Sequence, residues 1–207
     1  MRRGYFGGTF DPPHVGHLLV ASDAHAALRL DRLTFVPNAR QPLKADTATT
    51  SPALRLEMVR RAVEGDPRFD VDPIEVERGG TSYSVDTLEH FAEQHPEDDR
   101  VFLVGADVGR SFAQWREPGR IMQLVQLGVL RRQVEEGEPD DEEILAPFQR
   151  VAAAGARAPV IVRTRRVDVS STEVRARVHA SLPITGFVPD AVARFIAEHG
   201  LYHSALP

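Results

Sequence analysis

A chain of 207 residues with 42% hydrophobic side chains has material for one α/β domain, or one domain plus a small appendage, and 27% charge is ordinary for a soluble surface. The net charge of −5 argues against a general nucleic-acid binder, which would carry a basic face, yet leaves room for a local arginine cluster around a small anion. With no cysteine, disulfides and thiolate chemistry are excluded; with no signal-peptide h-region and no apolar stretch of about 20 residues, a soluble, cytoplasmic protein without membrane contact is expected.

In chain order, short apolar runs alternate with amphipathic stretches, the pattern of βαβ units around a parallel sheet. Gly4–Phe6 reads as a first strand, Gly7–Pro13 as a turn-rich loop, and His14 to about Leu28 as a helix. A strand at Leu33–Val36 leads to a loop with Pro37, Asn38 and Pro42. Ser51 caps a helix with Pro52 in its first turn and Leu54, Met58, Val59 and Ala62 on one side. Val71–Val76 is strand-like, and Ser84–Ala92 is a helix after the turn Gly79-Gly80. Val101–Val104 and Val125–Leu130 are buried strands; Glu135–Glu143, with seven acidic residues in nine, is a solvated loop or helix start. Val160–Val162 is a late strand, Ser170-Ser171-Thr172 opens a helix, and Pro189–His199 is a last helix stopped by Gly200. No repeat and no domain boundary is visible.

Two motifs carry chemistry. In Gly7-Gly8-Thr9-Phe10-Asp11-Pro12-Pro13-His14-Val15-Gly16-His17, two glycines after a strand let the backbone approach a ligand, and the following helix turns its positive end toward an anion. His14 and His17, three apart, share a helical face; with at least one protonated against phosphate, they would neutralise charge gathering on a leaving pyrophosphate. Gly16 between them leaves space for a phosphate. The same pair could in principle bind a metal, but no third His or carboxylate stands at a supporting spacing, so no dedicated metal site is expected. In Ser170-Ser171-Thr172-Glu173-Val174-Arg175, one hydroxyl suffices to cap the helix; the others, with free N–H groups and Arg175, suit a polyphosphate. Of Arg163, Arg165 and Arg166 just upstream, at least two are expected in ordinary surface roles.

These strings resemble the His-x-Gly-His and Ser-Ser-Thr-x-Ile/Val-Arg signatures of a nucleotidyltransferase superfamily, and the chain is most similar to its bacterial nicotinate-nucleotide adenylyltransferases over almost its whole length. Supporting elements are Pro37-Asn38 with Lys44, Arg55 to Met58, Glu77 to Leu88, Gly105-Ala106-Asp107, Trp115, and the ending Val188-Pro189 through Leu201-Tyr202. The resemblance implies a Rossmann-like, doubly wound α/β fold with a mostly parallel sheet flanked by helices, in a single domain over 1–207 whose part from about 168 completes the ATP site. It implies that the AMP unit of ATP is joined to nicotinate mononucleotide, with Mg²⁺ arriving on ATP. By the same resemblance His14, His17, Lys44 and Arg175 act on the phosphates; Gly7, Gly8, Thr9, Phe10, Ser171 and Thr172 line the ATP; and Asn38, Lys44, Ser84, Asp107, Trp115 and Arg116 meet the mononucleotide. The nicotinate pocket is expected to offer only donors, from the Ser84 N–H, the helix start behind it and Arg116.

The chain departs from the family where Pro-Pro-His-Lys gives way to Gln41-Pro42-Leu43-Lys44, where Arg-Pro-Gly gives way to Arg131-Arg132-Gln133, and where Ser84 replaces Thr. These touch efficiency and pocket detail rather than reaction type. Rival readings are a nicotinamide mononucleotide or phosphopantetheine adenylyltransferase, a fragment of a class I aminoacyl-tRNA synthetase, and a non-catalytic nucleotide sensor. Small size, acidic balance and the lack of a Lys-Met-Ser-Lys-Ser-like loop oppose the synthetase; retention of His14, His17 and Arg175 together opposes the sensor. A homo-oligomer is left open.

Overall fold

The computed structural model describes residues 1–42, 50–132 and 139–203. Six parallel strands form one sheet in the order β3-β2-β1-β4-β5-β6: β1 Arg2–Gly8, β2 Arg32–Pro37, β3 Phe69–Val71, β4 Asp99–Gly105, β5 Gln126–Arg132 and β6 Val160–Thr164. The helices are α1 Val15–Leu28, α2 Pro52–Val63, α3 Ile74–Arg78, α4 Ser84–Gln94, α5 Pro118–Leu124, α6 Asp141–Gln149, α7 Ser171–His179 and α8 Asp190–Glu198. This is the doubly wound, Rossmann-like arrangement expected. No helix among the described residues is long and apolar enough to cross a membrane.

Because successive strand residues point to opposite faces, each central strand feeds two cores. Tyr5, Phe102 and Val104 pack with Leu88 and Phe91 of α4, Ile121 of α5 and Phe148 of α6. Leu33, Phe35, Val101 and Leu103 face Ala21, Ala24 and Leu28 of α1 and Val59 and Val63 of α2. A third cluster joins Met58 of α2 to Val174 and Val178 of α7, Val192, Phe195 and Ile196 of α8, and Tyr202. The C-terminal helices are thus packed onto α2 rather than onto the sheet.

The segment expected as a strand over Val71–Val76 is divided instead. Pairing ends at Val71; Pro73 has no N–H for a ladder, and the Asp72 carboxylate accepts from the Ile74 N–H at 2.9 Å, starting α3. The acidic run supplies a helix start: Asp140 accepts from the Glu143 N–H at 2.8 Å and Glu143 returns a bond to the Asp140 N–H at 3.1 Å. Asp141, in that first turn, ties α6 to Arg131 of β5 and, at 2.7 Å, to Arg163 of β6.

Candidate active site

The strand order reverses between β1 and β4, and ligands of such sheets collect in the crevice at the carboxyl ends of the strands at that point. Two cavities meet there, sharing Phe6 of β1 and Gly105 of β4. One, of ≈ 230 Å³, is lined by Gly7, Gly8, Thr9, Asn38, Ser84, Trp115 and Arg116 among others. The second, of ≈ 770 Å³, takes in His14, Gly16, His17, Asp107, Arg132 and Ser170. The two halves of the expected site are therefore adjacent.

The β1–α1 loop is shaped by steric necessity. A Cβ on Gly8 would stand 2.8 Å from the Phe10 ring, and one on Gly16 would stand 2.9 Å from the His14 ring. Gly16 thus makes room for an imidazole rather than directly for phosphate. Phe10 is only 3% exposed and lies edge-on to Phe35 and His17. Its side chain belongs to the core, so only its backbone is left to face a nucleotide along the loop.

His14 and His17 stack with ring centroids 3.7 Å apart. The His14 N–H donates to Nδ1 of His17 at 3.2 Å, so in the neutral ring the hydrogen of His17 sits on Nε2. Nδ1 of His14 is buried without a partner among the described residues. Burial, and next the charge of Arg132, pushes His14 down to about 4; burial, and next His14 itself, pushes His17 down to about 3. Both rings are neutral at neutral pH before an anion arrives, so the protonation expected against phosphate has to accompany binding. A pH consequence follows from the sign. Between the ordinary value of 6.5 and these lowered values, the unfolded chain binds protons that the folded site refuses, so stability is full above 6.5 and falls as the pH drops through that window. At about pH 5 the loss is on the order of 2 kcal/mol per ring. Urea melts at neutral and acid pH should show it, and a His14→Gln/His17→Gln variant should lose measurably less; equal losses would contradict the assignment.

Asp11 is a buried hub. Its carboxylate accepts from the Tyr202 hydroxyl at 2.7 Å and the Thr50 N–H at 3.0 Å, while its carbonyl accepts from Arg175 Nη1 at 2.6 Å. Ser171 Oγ donates to the next carbonyl, of Pro12, at 2.8 Å. Ser170 caps α7 by accepting from the Glu173 N–H at 3.1 Å, and Thr172 accepts from Arg175 at 3.2 Å. The second motif is therefore brought onto the first; Ser171 and Arg175 hold loop carbonyls, and of the three hydroxyls it is Ser170 that lines the second cavity. Upstream, Arg163, Arg165 and Arg166 pair with Asp141, Asp23 and Asp168. Lys44 lies outside the described residues.

A second hub, Arg55, carries no exposed surface. Its guanidinium donates to Thr50 O at 2.9 Å, Thr9 O at 2.6 Å, Asn38 Oδ1 at 3.3 Å, Asn38 O at 2.8 Å and Ala39 O at 2.9 Å. It fixes the Thr9 loop against the Asn38 loop, and Asn38 Nδ2 completes the link to Thr9 Oγ1 at 3.2 Å. Sequence reasoning assigned Arg55 no role, although a signal was present: Arg55, Met58, Val59 and Ala62 follow helical spacing, which puts an arginine on a buried stripe.

In the smaller cavity, Trp115 leans on Phe112 at 5.4 Å and Phe102 at 6.4 Å. Ser84 opens α4, whose N-cap Tyr83 makes no side-chain cap, so amides of the first turn are left for other partners. Arg116 is exposed, paired with Asp86 at 3.3 Å and lying over the Tyr83 ring at 5.1 Å. Asp107 does not join this group: it lines the second cavity, beside the imidazoles, and makes no cap for its own short helix. Nor does the cavity offer only donors, because Glu75, 7% exposed, stands in its wall.

The profile of the cytidylyltransferase-like family matches residues 5–177. A protein of Gemmatimonas aurantiaca, named a probable nicotinate-nucleotide adenylyltransferase, is 47% identical over 98% of this chain and 92% of its own length. One of the same name from Thermus thermophilus is 41% identical over 98% of this chain and 100% of its own. Among solved structures, Plasmodium falciparum nicotinic acid mononucleotide adenylyltransferase, complexed with NaAD, shares the fold with a TM-score of 0.76 at 17% identity, covering 100% of this chain and 99% of that one. The chain belongs to the cytidylyltransferase-like family and, within it, to the nicotinate-nucleotide adenylyltransferases.

Proposed function

We propose that the protein joins the AMP unit of ATP to nicotinate mononucleotide, releasing pyrophosphate, as a cytoplasmic step of NAD biosynthesis. The observation that carries this reading is the pair of cavities meeting over Phe6 and Gly105, one walled by Trp115 and the start of α4, the other by His14 and His17. A phosphate oxygen of the mononucleotide attacks the α-phosphorus of ATP; the new P–O bond forms as the bond to pyrophosphate breaks. The nucleophile is already an anion, so no protein nucleophile or strong base is needed, and the protein's task is alignment and charge stabilisation.

His17 offers Nε2–H to the leaving phosphates from an orientation set by the bond at its Nδ1. His14 stacks against it, and an arriving phosphate draws both rings toward protonation. Gly7, Gly8 and Thr9 present backbone along the nucleotide, and Lys44 adds a cation. From the part of the chain beginning at about residue 168, Ser171 and Arg175 hold the loop that carries the imidazoles, Thr172 steadies Arg175, and together they complete the ATP site within one domain. Asp107 faces the space of the second cavity and would stand near Mg²⁺ brought in on ATP, which would supply screening of the phosphate charge. Asn38, Ser84, Trp115 and Arg116 surround the mononucleotide.

A coupled pyrophosphate-release assay tests the reading. ATP with nicotinate mononucleotide is expected to give dinucleotide and pyrophosphate in a Mg²⁺-dependent reaction. No turnover with any pyridine mononucleotide, in a folded sample, would sink it.

A further inference from the structure

We infer that Glu75 is a specificity-determining residue, its carboxyl setting the choice between an acid and an amide substituent on the pyridine ring. This rests on the proposed reading of the smaller cavity as the ring site. Among the described residues lining that cavity Glu75 is the one carboxyl and Arg116 the one cation, and Arg116 is already occupied at the rim by Asp86. The Glu75 carboxyl is held in place. Thr87 Oγ1 donates to its Oε1 at 2.7 Å while accepting from Arg78 Nη2 at 2.9 Å. The Ser82 hydroxyl also bonds it, and Ser82 Oγ accepts from the Ala39 N–H at 3.0 Å. Ser82, Ser84 and Thr87 line the same cavity, so the carboxyl is built into the framework that carries the α4 amides.

The two protonation states of such a group favour different substrates. Ionised, it accepts from an amide NH₂ and repels a carboxylate; protonated, it has an O–H to give to a carboxylate. Burial, the largest influence, raises Glu75 above the usual glutamate range, opposed by the Thr87 and Ser82 hydroxyls and by Arg78 of its own helix, and assisted by Asp72 preceding that helix. From α4 the facing groups are Thr87 and, at the rim, Asp86 paired with Arg116. Retention of the proton therefore favours the acid, and its loss favours the amide.

The test is the ratio of kcat/KM for nicotinate mononucleotide to that for nicotinamide mononucleotide, with the full chain, across the pH range in which the protein stays folded. Taking the ratio removes the titrations common to both substrates, those of His14, His17 and the phosphates. In the parent protein the ratio should fall about tenfold or more as the pH rises. In Glu75→Gln, which keeps size and hydrogen bonding but cannot ionise, it should stay level. Thr87→Val, which removes a donor to the ionised carboxyl, should move the fall to higher pH. A level ratio in the parent, the same fall in Glu75→Gln, or an unmoved fall in Thr87→Val would each overturn the inference. Absence of turnover with both mononucleotides at every pH would overturn the underlying reading instead, and this inference with it.

Discussion

His17→Ala is expected to lower the single-turnover rate of adenylyl transfer about a hundredfold, the size found when one preorganised donor to developing charge is removed. His17 is suited to that role because its Nδ1 is occupied by the His14 N–H, leaving Nε2–H as the free donor. The variant also loses a bond at the start of α1, worth about 1 kcal/mol, so a small drop in melting temperature should accompany the kinetic loss without unfolding. Rapid-quench kinetics with enzyme in excess, beside a thermal melt, separates the two. Near-normal turnover would remove His17 from the leaving-group site, and outright unfolding would make it a structural residue.

Arg55→Met should cause the largest stability loss of any substitution around the site. The guanidinium satisfies four backbone carbonyls and the Asn38 side chain, and methionine would fill its volume while leaving those acceptors dry. Stranding buried acceptors in this way destabilises by about 3–5 kcal/mol, or about 10 °C in a chain of this size. Arg55→Lys should recover only part of the loss, because one ammonium cannot reproduce a planar fork. Urea and thermal melts decide the matter: a loss below about 1 kcal/mol for Arg55→Met would mean the loops hold themselves.

The fold was legible where burial on both faces left an unambiguous apolar run, as at Val101–Val104, and where a cap announced a helix, as at Ser51 and Ser170. It was misread at Val71–Val76, where apolar side chains recur in a way that suits a strand but Pro73 breaks the ladder and Asp72 turns the chain. Helix α5 escaped because seven residues give too little periodicity to detect. In the site, His14, His17, Asn38, Ser84 and Trp115 could be placed because each belongs to a recognisable local string. Phe10 and Asp107 belong to such strings too, yet adjacency in sequence does not say which way a side chain turns: one enters the core, the other crosses to the neighbouring cavity. The roles of Arg55, Asp11 and Glu75 were not legible for the opposite reason: helical spacing marks Arg55 as buried but does not say what it holds. Their roles exist only through partners from distant segments, as when Tyr202 reaches Asp11 or Thr9 and Asn38 meet on one guanidinium.

The position of β1 in the sheet also bears on how the molecule is made. Its pairing with β2 closes a short βαβ loop, whereas its pairing with β4 brings together parts of the chain such as Met1 and Asp98, 97 positions apart. The clasp between Asp11 and Tyr202 spans 191 positions. Closing long loops loses chain entropy before any contact compensates, and topologies rich in such contacts fold slowly. The crevice between β1 and β4 therefore takes form only with the slow contacts of the folding reaction. Any condition that opens these long-range contacts, even one that spares the local βαβ pairing, would therefore remove the place where two nucleotides meet.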